Sequence, residues 1–188
     1  MVAHAEATRD MDRTERLGAL VLMIVAGSDT TRNAIAGSML GLCQFPDQFA
    51  AIKAEPDLVP DMISETMRWH TPAPHMRRIA RREVEFGGKR IRRGDKVVMW
   101  HLSGNRDERV MERPDDFWVR RPNVRRHLSY GQGIHRCIGA RLGELQLQIL
   151  WEEMLKRFGE ISIVGQPIRT ASCFARGFRH MPVRLESK

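Results

Sequence analysis

The stretch "SYGQGIHRCIG", residues 129–139, gathers three glycines, one histidine and one cysteine in eleven positions. Cys137 stands just ahead of a long helical pattern, where backbone N–H groups and the helix dipole stabilise a thiolate. Gly131, Gly133 and Gly139 carry no Cβ, so the chain there can approach a flat, bulky group or adopt positive φ. A thiolate presented in this way suits a nucleophile, a zinc ligand or a haem ligand. His135 would serve the first as a base, yet no local catalytic-cysteine signature accompanies it. Zinc wants four ligands at recognisable spacing, and no second Cys/His pair stands nearby. A structural cysteine buried in a glycine-rich turn is the plain alternative.

Two further clusters carry chemistry. "AGSDTT", residues 26–31, sets Gly27, Asp29 and Thr30 in the middle of a helical pattern. Read alone, such a cluster is a weak helical site, expected to bend the helix or loosen its hydrogen bonds. "ETMR" puts Glu65 and Arg68 three residues apart on one helix face, which by itself is a surface ion pair.

The elements that must position these residues can be traced along the chain. Asp12 with Glu15 makes a capping-box pattern, and from there a helix runs to Phe45, where Pro46 stops it. Its apolar residues Leu17, Leu20, Val21, Ile24 and Val25 crowd several faces, so a buried helix is expected. A second helix follows Pro46, and a third spans about residues 58–69. "RRIARREVEFGGKRIRRGDKVVMW" reads as short antiparallel strands around Gly87-Gly88. Residues 105–128 are loop-rich, "RLGELQLQILWEEMLKRF" is an amphipathic helix, and "EISIVG" and "MPVRL" read as strands. The order implies a mainly α fold with small antiparallel β pieces, and no βα alternation supports a parallel sheet.

The 188 residues hold 31 Lys and Arg against 23 Asp and Glu, a net charge of +8. That surplus suits an anionic partner without naming one. Three scattered cysteines argue against a disulfide framework and for a reducing compartment, so the cytoplasm is expected. The longest apolar run, "LGALVLMIVAG", is too short for a membrane span.

The segments together resemble the cytochrome P-450 monooxygenases. "YGQGIHRCIG" has the pattern of that family's haem-binding loop: aromatic, Gly, any, Gly, any, His, any, Cys, any, Gly. Tyr130 stands where phenylalanine is more usual and keeps an aromatic shield near the sulfur. The resemblance implies haem b (iron protoporphyrin IX), Cys137 as the proximal iron ligand, and Tyr130, Gly131 and Gly139 around the porphyrin. It implies that His135 hydrogen-bonds a haem propionate. It further implies that Gly27 leaves room for dioxygen and that Asp29 and Thr30 help deliver protons to it. Glu65 and Arg68 become a buried structural pair that locks the loop leading to the cysteine. The family's third member of that network is an arginine, but "RPDDF" puts Asp116 there, leaving Arg120 or Arg121 as substitutes. Alignment through "VEFGG" gives Arg78 contact with a propionate, since a guanidinium matches a carboxylate bidentately. Pro74, His75, Met76 and Phe174 resemble residues lining the substrate pocket.

A closer resemblance is to the soluble bacterial branch that hydroxylates alkanes and fatty acids at the terminal carbon. "MVAHAEATRDM", "TPAPHMRR", "GNRDERVMERPDDF", "HLSYGQGIHRCIG" and "ELQLQILWEEMLKRF" carry it. It implies ferredoxin and ferredoxin reductase as electron donors, dioxygen, and a hydrophobic small-molecule substrate. Arg125, Arg126, Arg136 and Arg141 flank the cysteine loop, where acidic ferredoxins dock in the family. Family members are longer, so residues 1–188 are expected to be the C-terminal haem-binding part of a single domain truncated at its N-terminus. Two readings from other classes stand beside this one. A haem-binding chain without turnover shares Cys137; a basic nucleic-acid module lacks any recognisable motif and has one Tyr to offer.

Overall fold

The computed structural model describes residues 6–188; the first five residues of "MVAHAEATRDM" lie outside them. The leading helix, α1 (Arg13–Gln44), starts in a closed capping box. Asp12 Oδ1 accepts from the Glu15 N–H at 2.8 Å, and Glu15 Oε2 accepts from the Asp12 N–H at 2.9 Å. Its 32 residues run about 48 Å at 1.5 Å each. It ends at Phe45, and α2 (Pro46–Ala54) restarts with proline at a position that needs no N–H. α3 (Val59–His70) is buried along nearly its whole length and ends on Thr71, whose φ of 47° turns the chain out of the helix.

Strand β1 (Met76–Ile79) pairs antiparallel with β4 (Lys96–Met99), Arg78 opposite Val97. Between them β2 (Val84–Phe86) and β3 (Lys89–Ile91) form a hairpin. Its two turn residues, Gly87 and Gly88, have φ of 56° and 70°, the pair of left-handed positions that a two-residue hairpin turn demands. A short helix, α4 (His101–Gly104), follows β4 directly, where the sequence reading had only the end of a strand. α5 (Ala140–Arg157) leads into β5 (Phe158–Ile163), which pairs with β8 (Val183–Ser187). A smaller pair, β6 (Ile168–Arg169) with β7 (Phe178–His180), was not foreseen. Two- and three-residue strands have no alternation to read. The fold is mainly α with four small antiparallel pairs among the described residues, as expected.

The core lies where α1, α3 and α5 meet. Leu42, Ile52, Met62, Ile63, Phe117, Leu147 and Trp151 fill it, and Trp151 Nε1–H donates to Ser38 Oγ across it at 2.8 Å. Gly37 is needed there, because a Cβ would fall 2.3 Å from the His70 ring. The expectation that α1 is buried holds for only part of its length. Burial is confined to residues from Asn33 to Leu42, while Leu22 and Ile24 are 67% and 69% exposed. Apolar residues on several faces say that a helix wants cover, not which segment supplies it. No helix among the described residues is long and apolar enough to cross a membrane.

Candidate functional site

The deepest charged group is built on α3. Glu65 and Arg68 are both fully buried, and the guanidinium meets the carboxylate bidentately, Nε to Oε2 and Nη2 to Oε1, at 2.8 Å each. Arg68 Nη1 donates to the carbonyls of Asn105 (3.0 Å) and Pro114 (2.7 Å), and Nη2 donates also to Asp116 O (2.8 Å). All five donors of this guanidinium are therefore used. Arg121 supplies the third member, its Nε 3.0 Å from Glu65 Oε2, while Arg120 turns outward to Glu55. Asp116 does not disturb the network. Only its carbonyl is used inside, and its carboxylate faces Arg113 at 2.6 Å.

Asn105, which sequence reasoning passed over as a loop residue, ties this network to the cysteine loop. Fully buried, it donates through Nδ2 to Thr71 Oγ1 (3.0 Å) and Ser129 Oγ (2.9 Å), and its Oδ1 accepts from the Leu128 N–H (2.7 Å). Ser129 Oγ–H in turn donates to Met67 O at 2.6 Å. The readable signal was an asparagine between glycine and arginine ahead of a charge-rich stretch, which looks like surface.

The loop itself folds back on Tyr130. The Cys137 N–H donates to Tyr130 O at 2.7 Å, the Gly131 N–H to Leu128 O at 2.8 Å, and the Arg136 N–H to Gly133 O at 3.0 Å. Gly131 and Gly133 have φ of 68° and 62°, so these two use the left-handed freedom expected of them. Gly139 has φ of −89° and open space around it, so its want of a Cβ leaves room and serves no turn. The Cys137 thiol is exposed and has no hydrogen-bonding partner among the described residues, three residues ahead of α5, and Ile134 and Ile138 on either side of it in sequence are 96% and 99% exposed. Burial, with Glu144 and Cys137 nearby, pushes the Tyr130 hydroxyl above its ordinary range. Burial and then the positive charge of Arg136 hold His127 at about 4. Tyr130, Arg136, Cys137, Glu144 and Gln148 line a depression of about 610 Å³ behind the loop.

The middle of α1 lies against the first turn of α5, since a Cβ on Gly143 would sit 3.7 Å from Thr31 Oγ1. The helix is continuous through "AGSDTT". Thr30 Oγ–H donates to Ala26 O at 2.6 Å, so its hydroxyl is satisfied inside the helix. Asp29 accepts from Arg32 at 2.6 Å and from Asn33 at 3.2 Å, and nothing lies within 4 Å of where a Cβ on Gly27 would stand.

The pocket residues expected from sequence converge only in part. His75 Nε2 lies 2.9 Å from Cys173 O, which brings the "TPAPH" segment beside Phe174, and the His75 ring meets Trp100 edge-on at 4.8 Å. Pro74 O accepts from the Leu102 N–H at 3.0 Å, and Met76 opens β1 opposite Met99. Arg78 is half-buried on β1, with Nη1 on the Arg77 carbonyl at 2.9 Å. It lies close enough to His101 to help lower that imidazole's pKa, after burial as the main cause. His135 is exposed in the one-turn helix Gly133–His135.

These features discriminate among the chemistries open to the sulfur. Cys137 and His135 share no hydrogen bond, so no nucleophile–base pair is formed. Among the described residues no three His, Cys, Asp or Glu side chains gather as a metal cage of the kind zinc wants. An unpartnered thiol flanked by bare isoleucines and open glycines fits a broad apolar group that brings its own metal, as haem does.

Comparison with known proteins agrees. The family model described as Cytochrome P-450 matches residues 2–170. A putative cytochrome P-450 126 of Mycobacterium tuberculosis is 45% identical over 165 residues, 87% of this chain and 39% of that protein. Linalool 8-monooxygenase of Pseudomonas putida is 39% identical over 172 residues, 92% of this chain and 42% of that protein. The solved structure of cytochrome P-450-153 from Novosphingobium aromaticivorans superposes with a TM-score of 0.94 at 48% identity, covering 98% of this chain and 47% of that one. The chain thus spans less than half the length of these relatives. Sequence motif, loop geometry and superposition converge on one assignment: the chain belongs to the cytochrome P-450 family.

Proposed function

We propose that Cys137 supplies the thiolate to the iron of haem b, in a monooxygenase that inserts one oxygen atom of dioxygen into a C–H bond of a hydrophobic substrate. The observation that carries the reading is the unpartnered Cys137 thiol on a loop pinned by its own N–H to Tyr130 O at 2.7 Å. Haem supplies the iron chemistry when bound. This chain's residues do the rest. The Glu65–Arg68–Arg121 network and Asn105 hold the loop in place. Tyr130 covers the sulfur side with an aromatic ring. Arg78 and His135 offer a guanidinium and an imidazole to the propionates. Asp29 holds a carboxylate, and Thr30 a hydroxyl bonded to Ala26 O, beside the open space at Gly27. From there the two side chains would be placed to hold and hand on a proton to dioxygen bound in that space.

Terminal hydroxylation of an alkane or fatty acid is the substrate class we assign. It is supported by the likeness to a methyl-branched lipid omega-hydroxylase of Mycobacterium tuberculosis, 35% identical over 166 residues. Pro74, His75, Met76 and Phe174 would form part of that pocket's wall. Ferredoxin, reduced by its reductase, is the assigned electron donor, docking on Arg125, Arg136 and Arg141, which line the depression behind the loop, and on the adjacent Arg126. A cytoplasmic location goes with this reading.

The test is spectroscopic. The chain is supplied with haem, reduced and exposed to carbon monoxide. A strongly red-shifted Soret band that Cys137→Ser abolishes supports the reading. A band indifferent to that substitution overturns it.

A further inference from the structure

The chain's positive charge is not spread evenly. Residues 77–96 carry nine Lys and Arg against three Asp and Glu, so six of the chain's eight surplus positive charges fall in twenty residues. They surround the β2–β3 hairpin. Residues 81–90 are exposed without exception, Phe86 is 76% exposed at the turn, and Val84 and Ile79 are 44% and 57% exposed. Nothing stands within 4 Å of the Cβ positions of Gly87, Gly88 or Gly94, so the hairpin projects from the body. Arg90 pairs with Glu83 at 2.9 Å, and the Asp95 carboxylate accepts from the Arg92 N–H. Among the described residues the side chains of Arg81, Arg82, Lys89, Arg93 and Lys96 meet no hydrogen-bonding or ion-pair partner.

We propose that this hairpin is a docking surface for an anionic phospholipid bilayer, with Phe86 entering the headgroup layer and the arginines and lysines lying over it. The shape favours a bilayer over a protein: the tip is convex, two glycines wide, and offers no groove to a partner's side chains. Nucleic acid is disfavoured because a single aromatic gives no series of stacking platforms. Long cationic side chains keep their apolar stems along the surface and their charge at the headgroups. Each cation near such a surface is worth about 1 kcal/mol, a factor of about five in partitioning. Arg78 apart, the proposal shares no residue with the haem reading, and its test needs no haem.

The 188-residue chain is co-sedimented with phosphatidylcholine vesicles, with and without one-quarter phosphatidylglycerol, at low and high salt. Binding is expected on the anionic vesicles and should weaken as salt screens it. Arg92→Glu with Arg93→Glu should lower partitioning by about 25-fold or more, and Phe86→Ser by about fivefold. Arg179→Glu with Arg184→Glu, an equal charge change elsewhere, should cost much less than the hairpin pair. Circular dichroism checks that each variant is folded. The bare apolar half of α1 is the competing source of vesicle binding. Binding that ignores headgroup charge and both hairpin variants would assign it to α1 and overturn the proposal. So would retention of duplex DNA by the hairpin under conditions where anionic vesicles are not bound.

Discussion

Arg121 and Glu65 meet at 3.0 Å in the interior, the guanidinium 1% exposed and the carboxylate fully buried. The neighbouring Arg120 spends its charge on Glu55 at the surface. Adjacent arginines thus have opposite fates. Arg121→Ala should destabilise the fold by about 3–5 kcal/mol, because it strips one partner from a buried charge network. Arg120→Ala should stay within about 0.5 kcal/mol. Urea denaturation of the two variants checks the contrast, and equal losses would contradict it.

Asn105→Ala leaves the Leu128 N–H without its buried acceptor. A loss of about 1–3 kcal/mol is expected. Since Asn105 and Ser129 join α3 to the cysteine loop, haem affinity should fall as well, read by haem titration. Unchanged affinity with lowered stability would confine Asn105 to the core.

Two buried histidines make stability depend on acidity. His70, on α3 with its Nε2 2.8 Å from Arg176 O, is held at about 3 by burial, followed by the charge of Arg176. His127 is held at about 4. Both stay neutral in the fold at pH values where the unfolded chain, with ordinary histidines near 6.5, takes up protons. Their contribution is therefore complete above about pH 6.5 and lost as pH falls toward 4 and 3. The slope from each approaches about 1.4 kcal/mol per pH unit. His127→Gln should shallow the slope measured between about pH 6 and pH 5; an unaltered slope would show that His127 is not one of the titrating groups.

Reversing charge behind the cysteine loop tests the electron donor. Arg125→Glu with Arg126→Glu in the haem-loaded protein should slow reduction by ferredoxin by about tenfold or more at low salt, with the difference shrinking as salt rises. Stopped-flow reduction measures it, and rates equal to the unaltered enzyme would move the docking surface elsewhere.

Local signals in the sequence were enough for α1's ends: Asp12 with Glu15 at one and Pro46 at the other are chemical stops that act within a few residues. Gly87-Gly88 likewise dictated its hairpin. What stayed hidden depends on distant segments. Choosing between Arg120 and Arg121 requires the path of residues 112–121 around Arg68. Asn105 is polar in an irregular stretch, and nothing local says that three segments close over it. That α1 stays helical through Asp29 and Thr30, with the threonine hydroxyl returned to Ala26 O, depends on a rotamer that nothing local announces. The burial of α1 was misread for most of its first half because hydrophobicity states a need for cover without naming its source.

That uneven helix has a kinetic consequence. A single ladder of backbone hydrogen bonds runs from a segment anchored in the core, residues 33–42, to one whose Leu22 and Ile24 face outward. Amide exchange should therefore divide α1 near Thr31, slow on the core side and fast on the other. Asp29 and Thr30 sit at that divide, so whatever covers the outer segment will also quiet the two residues assigned to proton delivery.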